Sequence, residues 1–580
     1  MKQILMNIFY PFNFLIVADL YLIIFFISQI IFLIIYLSYQ NRYSLFLFSA
    51  GGADSTPLYL DVNNTNNQKM LRSVTFYSTF VLLFAAVIFF LVSIIMRSHY
   101  AQDFGNLNVN FCFDTVSINY TTIGFKFFLT CIMLLFTLFC YALAGSVAFF
   151  TLESFILMWI VFLGGLLLFS ANSFLVVFIA LELISIPLYI LVGSNSRNNY
   201  STEAGIKYLI IGAVSSSLIL LGFSFLYHIS GVSTINDLML LGTNFSTFPE
   251  LSPKDPAFFY VPVIELALYP DWYLSTVFSK HVNVIFFLGW FFLLAGLLLK
   301  MGIAPFHFWM PDVYVGAPSL ITLMLMTVQK FIMWVFLFKM YCFVMPADIL
   351  SENFSTFLTA IIILNVLLGI FPALYQDKFK KLLVYSGIGA NALLLLPFGK
   401  GSIVVFTVFL LTYLLNTFGL FSFLFQLKTA DGNYLNKLSH YKELSLVLRV
   451  VGLTTTLILL STAGLPPTFG FISKFLVYYA SFNHNFIAVV CVLLGSVAMT
   501  FYYFRVIRFM YVTDNKFHKV TLNQVFLIPE YRTKILLTLI SILIASTLVL
   551  SIIYYKRVIL FVAFMVSPQH DVSELITLFL

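Results

Sequence analysis

About fourteen apolar runs, each long enough to cross the roughly 30 Å of a bilayer's hydrocarbon core, limit what this chain of 580 residues can fold into. They fall near residues 13–37, 74–96, 124–143, 153–170, 173–193, 204–228, 283–309, 318–343, 355–374, 381–398, 402–426, 447–481, 484–509 and 535–555. Inside hydrocarbon a backbone must satisfy its own hydrogen bonds, and a helix does so within one segment. The chain therefore reads as an all-α polytopic membrane protein. Its composition agrees, with 61% hydrophobic and 9% charged residues against about 25% charged in soluble domains. The 69 Phe and 32 Tyr, with abundant Ile, Leu and Asn, fit the AT-rich coding of an organellar genome.

Polar segments at 39–72 and 229–282 interrupt the spans and read as loops or short surface helices. Four regions result: 1–150 with the first three spans, 151–345 with spans four to eight and the 229–282 insertion, 346–515 with spans nine to thirteen, and 516–580 with the last span and a tail. An even count puts both termini on one side. Connections after odd-numbered spans hold about 17 Lys and Arg, among them Lys378, Lys380 and Lys381, against about seven opposite. The rich side should face the cytoplasm or matrix.

Prolines break two spans, Pro305 in the seventh and Pro466 with Pro467 in the twelfth. Proline lacks a backbone donor and clashes with the carbonyl four residues back, here Met301 and, for Pro467, Ala463. Free carbonyls at membrane depth are tolerated only within protein or beside a water-filled cavity. Spans 4–8 and 9–13 each hold five helices with the broken one fourth, the pattern of two inverted repeats around a transport path.

Within the spans five ionisable residues stand out: Glu182, Lys207, Lys300, Lys330 and Lys474. A charge there is costly and marks an ion or proton path by default. Burial favours a neutral lysine, and a nearby carboxylate restores its charge, so a changing distance from Glu182 is a way to load and unload a proton. Lys300 lies near the end of a half-helix, where freed carbonyls favour a cation. His307 and Asp312 are expected to link this region to water. Blander readings compete. Lys339 is expected to snorkel to the interface, and Lys207 divides evenly between snorkelling and function. A structural salt bridge is the bland alternative for Glu182, Lys300 and Lys330, and His228 and His307 taken alone suit packing.

Cys112, Cys131, Cys140, Cys342 and Cys491 show no paired spacing that suggests a metal cluster or a disulfide framework. With no Rossmann fingerprint, Walker loop or haem motif, no cofactor or metal is expected in this chain, and no nucleic-acid partner. The start reads as neither a signal nor a transit peptide.

The stretch KMGIAPFHFWMPDVYVGAP at 300–318 resembles the broken-helix signature of the antiporter-like membrane subunits of respiratory complex I. Its PDVY ending resembles the N-type branch. ELISIPLYIL at 182–191, EAGIKYLIIGAVSSSLILLGFSFLY at 203–227, STAGLPPTFGFISKF at 461–475 and FYYFRVIRFMY at 501–511 follow in the same order. The likeness covers roughly 150–515, and fourteen spans fit the bacterial-type architecture of the family, not a shortened form lacking the first three helices. It implies proton translocation driven by quinone reduction elsewhere. Glu182 is similar to the glutamate that modulates a neighbouring lysine, Lys207 and Lys300 to the lysines of a first half-channel, Lys330 to a connecting lysine, and Lys474 to one near the outlet of the second. KKLLVYSGIGANALLL at 380–395 departs from the tenth-helix pattern: Gly387, Ala390, Ala392 and Leu393 stand where the family has Ser, His, Gly and Tyr. Asn391 is the residue expected to hold a water in place of the missing histidine.

The resemblance further implies an M-type neighbour, the small membrane subunits and accessory subunits as partners. NAD, FMN, Fe–S centres and ubiquinone would belong to other subunits. With the organellar bias it implies the mitochondrial inner membrane, both termini on the intermembrane-space side. Two other readings stay open, a stand-alone cation/proton antiporter and a wedge that no longer pumps. Hard cations want oxygen ligands, and only Glu182 is a central carboxylate, which favours protons over sodium.

Overall fold

A computed structural model of the chain describes Ile27 and residues 73–91, 109–111, 114–143, 151–195, 198–238, 271–344, 351–400, 402–427, 437–442, 448–512 and 531–566. The first predicted span (apart from Ile27), the 39–72 segment and the 567–580 tail lie outside the described residues. Helix α1 spans Ser73–Leu91. A two-stranded antiparallel hairpin follows, β1 (Val109–Phe111) with β2 (Val116–Ile118). Then come α2 (Tyr120–Leu143), α3 (Leu152–Ser170), α4 (Phe174–Val192), α5 (Asn199–Ser230), α6 (Asp271–Met301) and the short α7 (Met310–Gly316). Helix α8 runs over residues 319–344, widening to a π turn at Leu325–Gln329. The rest are α9 (Ser351–Leu374), α10 (Phe379–Leu395), α11 (Ile403–Gln426), α12 (Arg449–Ala463), α13 (Phe469–Ser481), α14 (Phe486–Tyr511), α15 (Tyr531–Ile553) and α16 (Tyr555–Val566).

Eleven of the described helices are long and apolar enough to cross a membrane, and the shorter apolar helices Ile285–Met301 and Arg449–Ala463 are the first limbs of the two proline-broken spans. Helical residues overlap every predicted span from the second to the fourteenth. Three details depart from the sequence reading. The hairpin interrupts an otherwise all-α chain, because Asp114 accepts φ 62° at its turn and its strands dock on the α3–α4 connection through Asn172, whose Nδ2 donates to the Asp114 carbonyl at 2.8 Å. Residues 271–282, expected as loop, are the first turns of α6. Helix α16 follows the last span and packs on α2, the Tyr120 hydroxyl donating to the Phe564 carbonyl.

The packing places α8 in the middle, although it is not the most apolar helix. Helix α8 is nearly all buried, α10 almost as much, while α1, α5 and α15 present much of their surface outward. Lipid accepts an all-round apolar helix, so the most outward helices can be more apolar than the central ones. Helices α5 and α6 run backbone to backbone: a Cβ at Gly222 would stand 2.7 Å from the Leu293 nitrogen and 2.8 Å from the Gly289 oxygen. Such small-residue contacts let helices approach closely where no hydrophobic force drives them together.

Candidate functional site

The two proline breaks share one local design. Helix α6 stops at Met301 because Gly302 turns left-handed at φ 66°, and the Gly302 and Ile303 N–H groups return to the Leu299 and Leu298 carbonyls at 3.3 and 3.0 Å. Helix α12 stops at Ala463 with Gly464 at φ 80°, and the Gly464 and Leu465 N–H groups return to the Ser461 and Leu460 carbonyls, both at 3.1 Å. These are Schellman ends, which need glycine for the positive φ. Pro305, and Pro466 with Pro467, follow within three residues and forbid the helix from resuming at once. Trp309 Nε1 donates to the Leu299 carbonyl at 2.9 Å. Asn365 of α9, fully buried, accepts the Ala304 N–H at 3.1 Å and so clamps the first break from outside.

At the end of α6 the Lys300 ammonium stands 3.5 Å from Glu182 Oε1, the lysine side chain 4% and the glutamate 25% exposed. Ser185 donates to the other Glu182 oxygen at 3.2 Å. Pro187 lies inside α4 five residues on, removing the bond to the Leu183 carbonyl. Helix α4 thus carries its only carboxylate to the broken end of α6.

The first cavity, about 20 Å³, opens between Lys300 and Lys330 and is lined also by Met326, Gln329, Gly387 and Tyr413. One water needs about 10–15 Å³ of such space. Lys330 ends the π turn of α8, a feature frequent at functional sites. Its ammonium donates to the Gly387 carbonyl at 3.0 Å and lies 4.1 Å from the centre of the Tyr413 ring. The second cavity, about 40 Å³, shares Met326 and Tyr413 with the first and reaches Lys474, passing Asn416 and Ser461. There Lys474, 7% exposed, donates to the Thr462 and Ala463 carbonyls, each at 2.9 Å. Those are the two end carbonyls of α12 that its Schellman turn leaves over.

The structure therefore links Lys300, Lys330 and Lys474 through two adjoining cavities, with Glu182 paired to Lys300. It does not bring Lys207 there. That ammonium lies at the surface of the chain, 2.6 Å from Glu203 and 3.3 Å from Asp312, with all three side chains at least 42% exposed. His307 is half-buried in the break, its Nδ1 3.3 Å from the Pro305 carbonyl oxygen. Asn391 is fully buried on α10 with neither amide atom hydrogen-bonded among the described residues, yet it lines neither cavity.

Other inward-facing cations were missed or placed at the interface in the sequence reading. Lys380, counted there among the loop charges, is 5% exposed and donates to the Ala317 and Val315 carbonyls at the end of α7. Lys339 does not snorkel but donates to the Phe169 and Ala171 carbonyls at the end of α3. Lys126 on α2 is fully buried. Helix-end positions signalled interface and hid these roles; no local sequence signal marks Tyr413 or Asn365. Among the described residues no three His, Cys, Asp or Glu side chains come together as metal ligands. Ammonium groups separated by water-sized spaces, one paired with a carboxylate, are suited to taking up and passing on protons.

Residues 171–501 match a family described as NADH:quinone oxidoreductase/Mrp antiporter, transmembrane. NADH-quinone oxidoreductase subunit N of Ruthia magnifica is 30% identical over 370 residues, 63% of this chain and 69% of that protein. The subunit of the same name from the Wolbachia of Brugia malayi is 32% identical over 362 residues, 60% and 67%. A chain of respiratory complex I from Thermus thermophilus superposes with a TM-score of 0.58 at 22% identity, covering 84% of this chain and 97% of that one. That likeness is one of fold.

Proposed function

The chain belongs to the NADH:quinone oxidoreductase/Mrp antiporter family, and on that premise we propose that it is a proton-translocating membrane-arm subunit of an NADH:quinone oxidoreductase. The observation that carries this reading is the run of largely enclosed cations Lys300, Lys330 and Lys474 joined by two water-sized cavities, with Glu182 paired to Lys300. The subunit N relatives support the oxidoreductase over a stand-alone antiporter.

Electrostatics gives this run of cations a way to move protons. At 3.5 Å and an effective dielectric near 20, Glu182 attracts the Lys300 ammonium by about 5 kcal/mol. Doubling the separation halves that to roughly 2.5 kcal/mol, so a small shift of the α6 end makes the proton on Lys300 easier to hand on. Water in the first cavity is the next carrier, and Lys330 the next site. Lys474, held by a helix C-terminus that favours a cation, is the last.

The breaks at Pro305 and at Pro466 with Pro467 supply the hinges. Lys207, with Asp312 and His307, belongs to the surface end of the path in this reading, and Asn391 holds a water beside it. NAD, FMN, Fe–S centres and ubiquinone are assigned to other subunits, which include an M-type neighbour, the small membrane subunits and accessory subunits. The organellar composition supports the mitochondrial inner membrane, and the lysine and arginine bias supports both termini on the intermembrane-space side.

A native gel of detergent-solubilised source membranes, stained for NADH dehydrogenase and probed by mass spectrometry, tests the assignment. Co-migration of this chain with the active band is the expected result. A separate small band showing cation-dependent proton exchange in vesicles would assign a stand-alone antiporter instead.

A further inference from the structure

We infer that the Tyr413 hydroxyl is the proton relay between the two cavities, passing protons from the Lys330 side to water held by Asn416 and Ser461 on the Lys474 side. The inference rests on the proposed pumping function and adds a group to it. Tyr413 of α11 and Met326 of α8 are the two residues common to both cavity linings, and of the two only the tyrosine can exchange a proton. Its ring lies beneath the Lys330 ammonium at 4.1 Å.

The tyrosine hydroxyl is aimed where α10 has no side chain. A Cβ on residue 387 would stand 3.0 Å from Tyr413 Oη and 3.8 Å from Lys330 Nζ. The glycine therefore leaves the space in which hydroxyl and ammonium both approach the α10 backbone. Beyond Tyr413, the second cavity is lined by two polar atoms with no hydrogen-bond partner among the described residues, Asn416 Oδ1 and Ser461 Oγ. Asn416 is 5% and Ser461 1% exposed. Buried polar atoms without partners mark places where water belongs, and the 40 Å³ of this cavity gives it room.

The transfer balances with no other reactant. A water beside Lys330 takes a proton from the ammonium and gives one to Tyr413 Oη, while the hydroxyl releases its own proton to water at Asn416 and Ser461. Tyr413 starts and ends neutral, and rotation of the O–H resets it. Lys330 ends neutral until it is reloaded from Lys300.

The test is NADH-driven proton pumping by the whole complex, assembled with Tyr413→Phe and reconstituted in vesicles. Phenylalanine keeps the ring under Lys330 and removes only the hydroxyl, so pumping should slow about tenfold, modest beside the range for a lost acid–base group. Adding Gly387→Ser returns a hydroxyl to the same space from the opposite helix and should restore a large part of the rate. Gly387→Ala alone should slow pumping, because its Cβ crowds the hydroxyl it cannot replace. Wild-type pumping in Tyr413→Phe while Lys300→Met abolishes it would overturn the relay and leave the proposed function standing. A slow Tyr413→Phe that Gly387→Ser does not relieve would also overturn it, assigning Tyr413 to packing. Wild-type pumping in both single variants would instead remove the proposed function itself.

Discussion

At the scale of single residues, the fate of each buried cation follows from what it touches. Lys474 is bound to two helix-end carbonyls and Lys330 to one carbonyl and a ring. Removing a partner leaves a buried acceptor unsatisfied at about 1–3 kcal/mol. Lys474→Met should therefore loosen the subunit by about 1–3 kcal/mol beyond any loss of pumping, and Lys330→Met by less. Assembly on native gels after graded heating would show whether Lys474→Met releases the subunit at the lower temperature, as expected, or both variants behave alike. Asn391 is the opposite case, a fully buried amide with no partner among the described residues. Leucine there removes the amide proposed to hold a water and should slow proton transfer. An unchanged pumping rate in Asn391→Leu would take it off the path.

At the scale of elements, the helix breaks were readable because Pro305, Pro466 and Pro467 disfavour a continuing helix, although Pro187 sits inside α4 without breaking it. The residues that end the helices are the glycines before them, and these differ in what surrounds them. A Cβ at Gly302 would meet the mobile end of Met310 at 2.5 Å, whereas one at Gly464 would meet Lys474 at Cδ and Nζ, 2.6 and 3.0 Å away. Both alanine variants carry about 1–2 kcal/mol of left-handed strain, but Gly464→Ala also pushes Lys474 off its carbonyls. Pumping by assembled complexes should thus fall much further in Gly464→Ala than in Gly302→Ala; equal losses would mean that strain alone decides. The hairpin around Asp114 and helix α16 were not legible. Three-residue strands are too short to show an alternation, and α16 lies beyond the last long apolar run.

At the scale of the whole molecule, hydropathy sufficed for the succession of helices, since lipid leaves a backbone few choices. The meeting of Glu182 with Lys300 joins positions 118 apart in sequence, and no local pattern encodes that. Ionisable residues deep in a span still pointed to it, because only a partner or a path makes their burial tolerable. Lys380 shows the reverse error: beside a loop it counted toward the membrane-side charge, yet the fold buries it against α7. Lys207 was ambiguous by position and proves exposed on the isolated chain.

On the proposed path protons cross through Lys330, which stands between the Glu182–Lys300 pair and Lys474. The direct test is proton pumping per NADH oxidised by vesicles holding the complex assembled with Lys330→Met. The account predicts pumping reduced severalfold with the complex intact on a native gel. Full pumping by an intact Lys330→Met complex would contradict it.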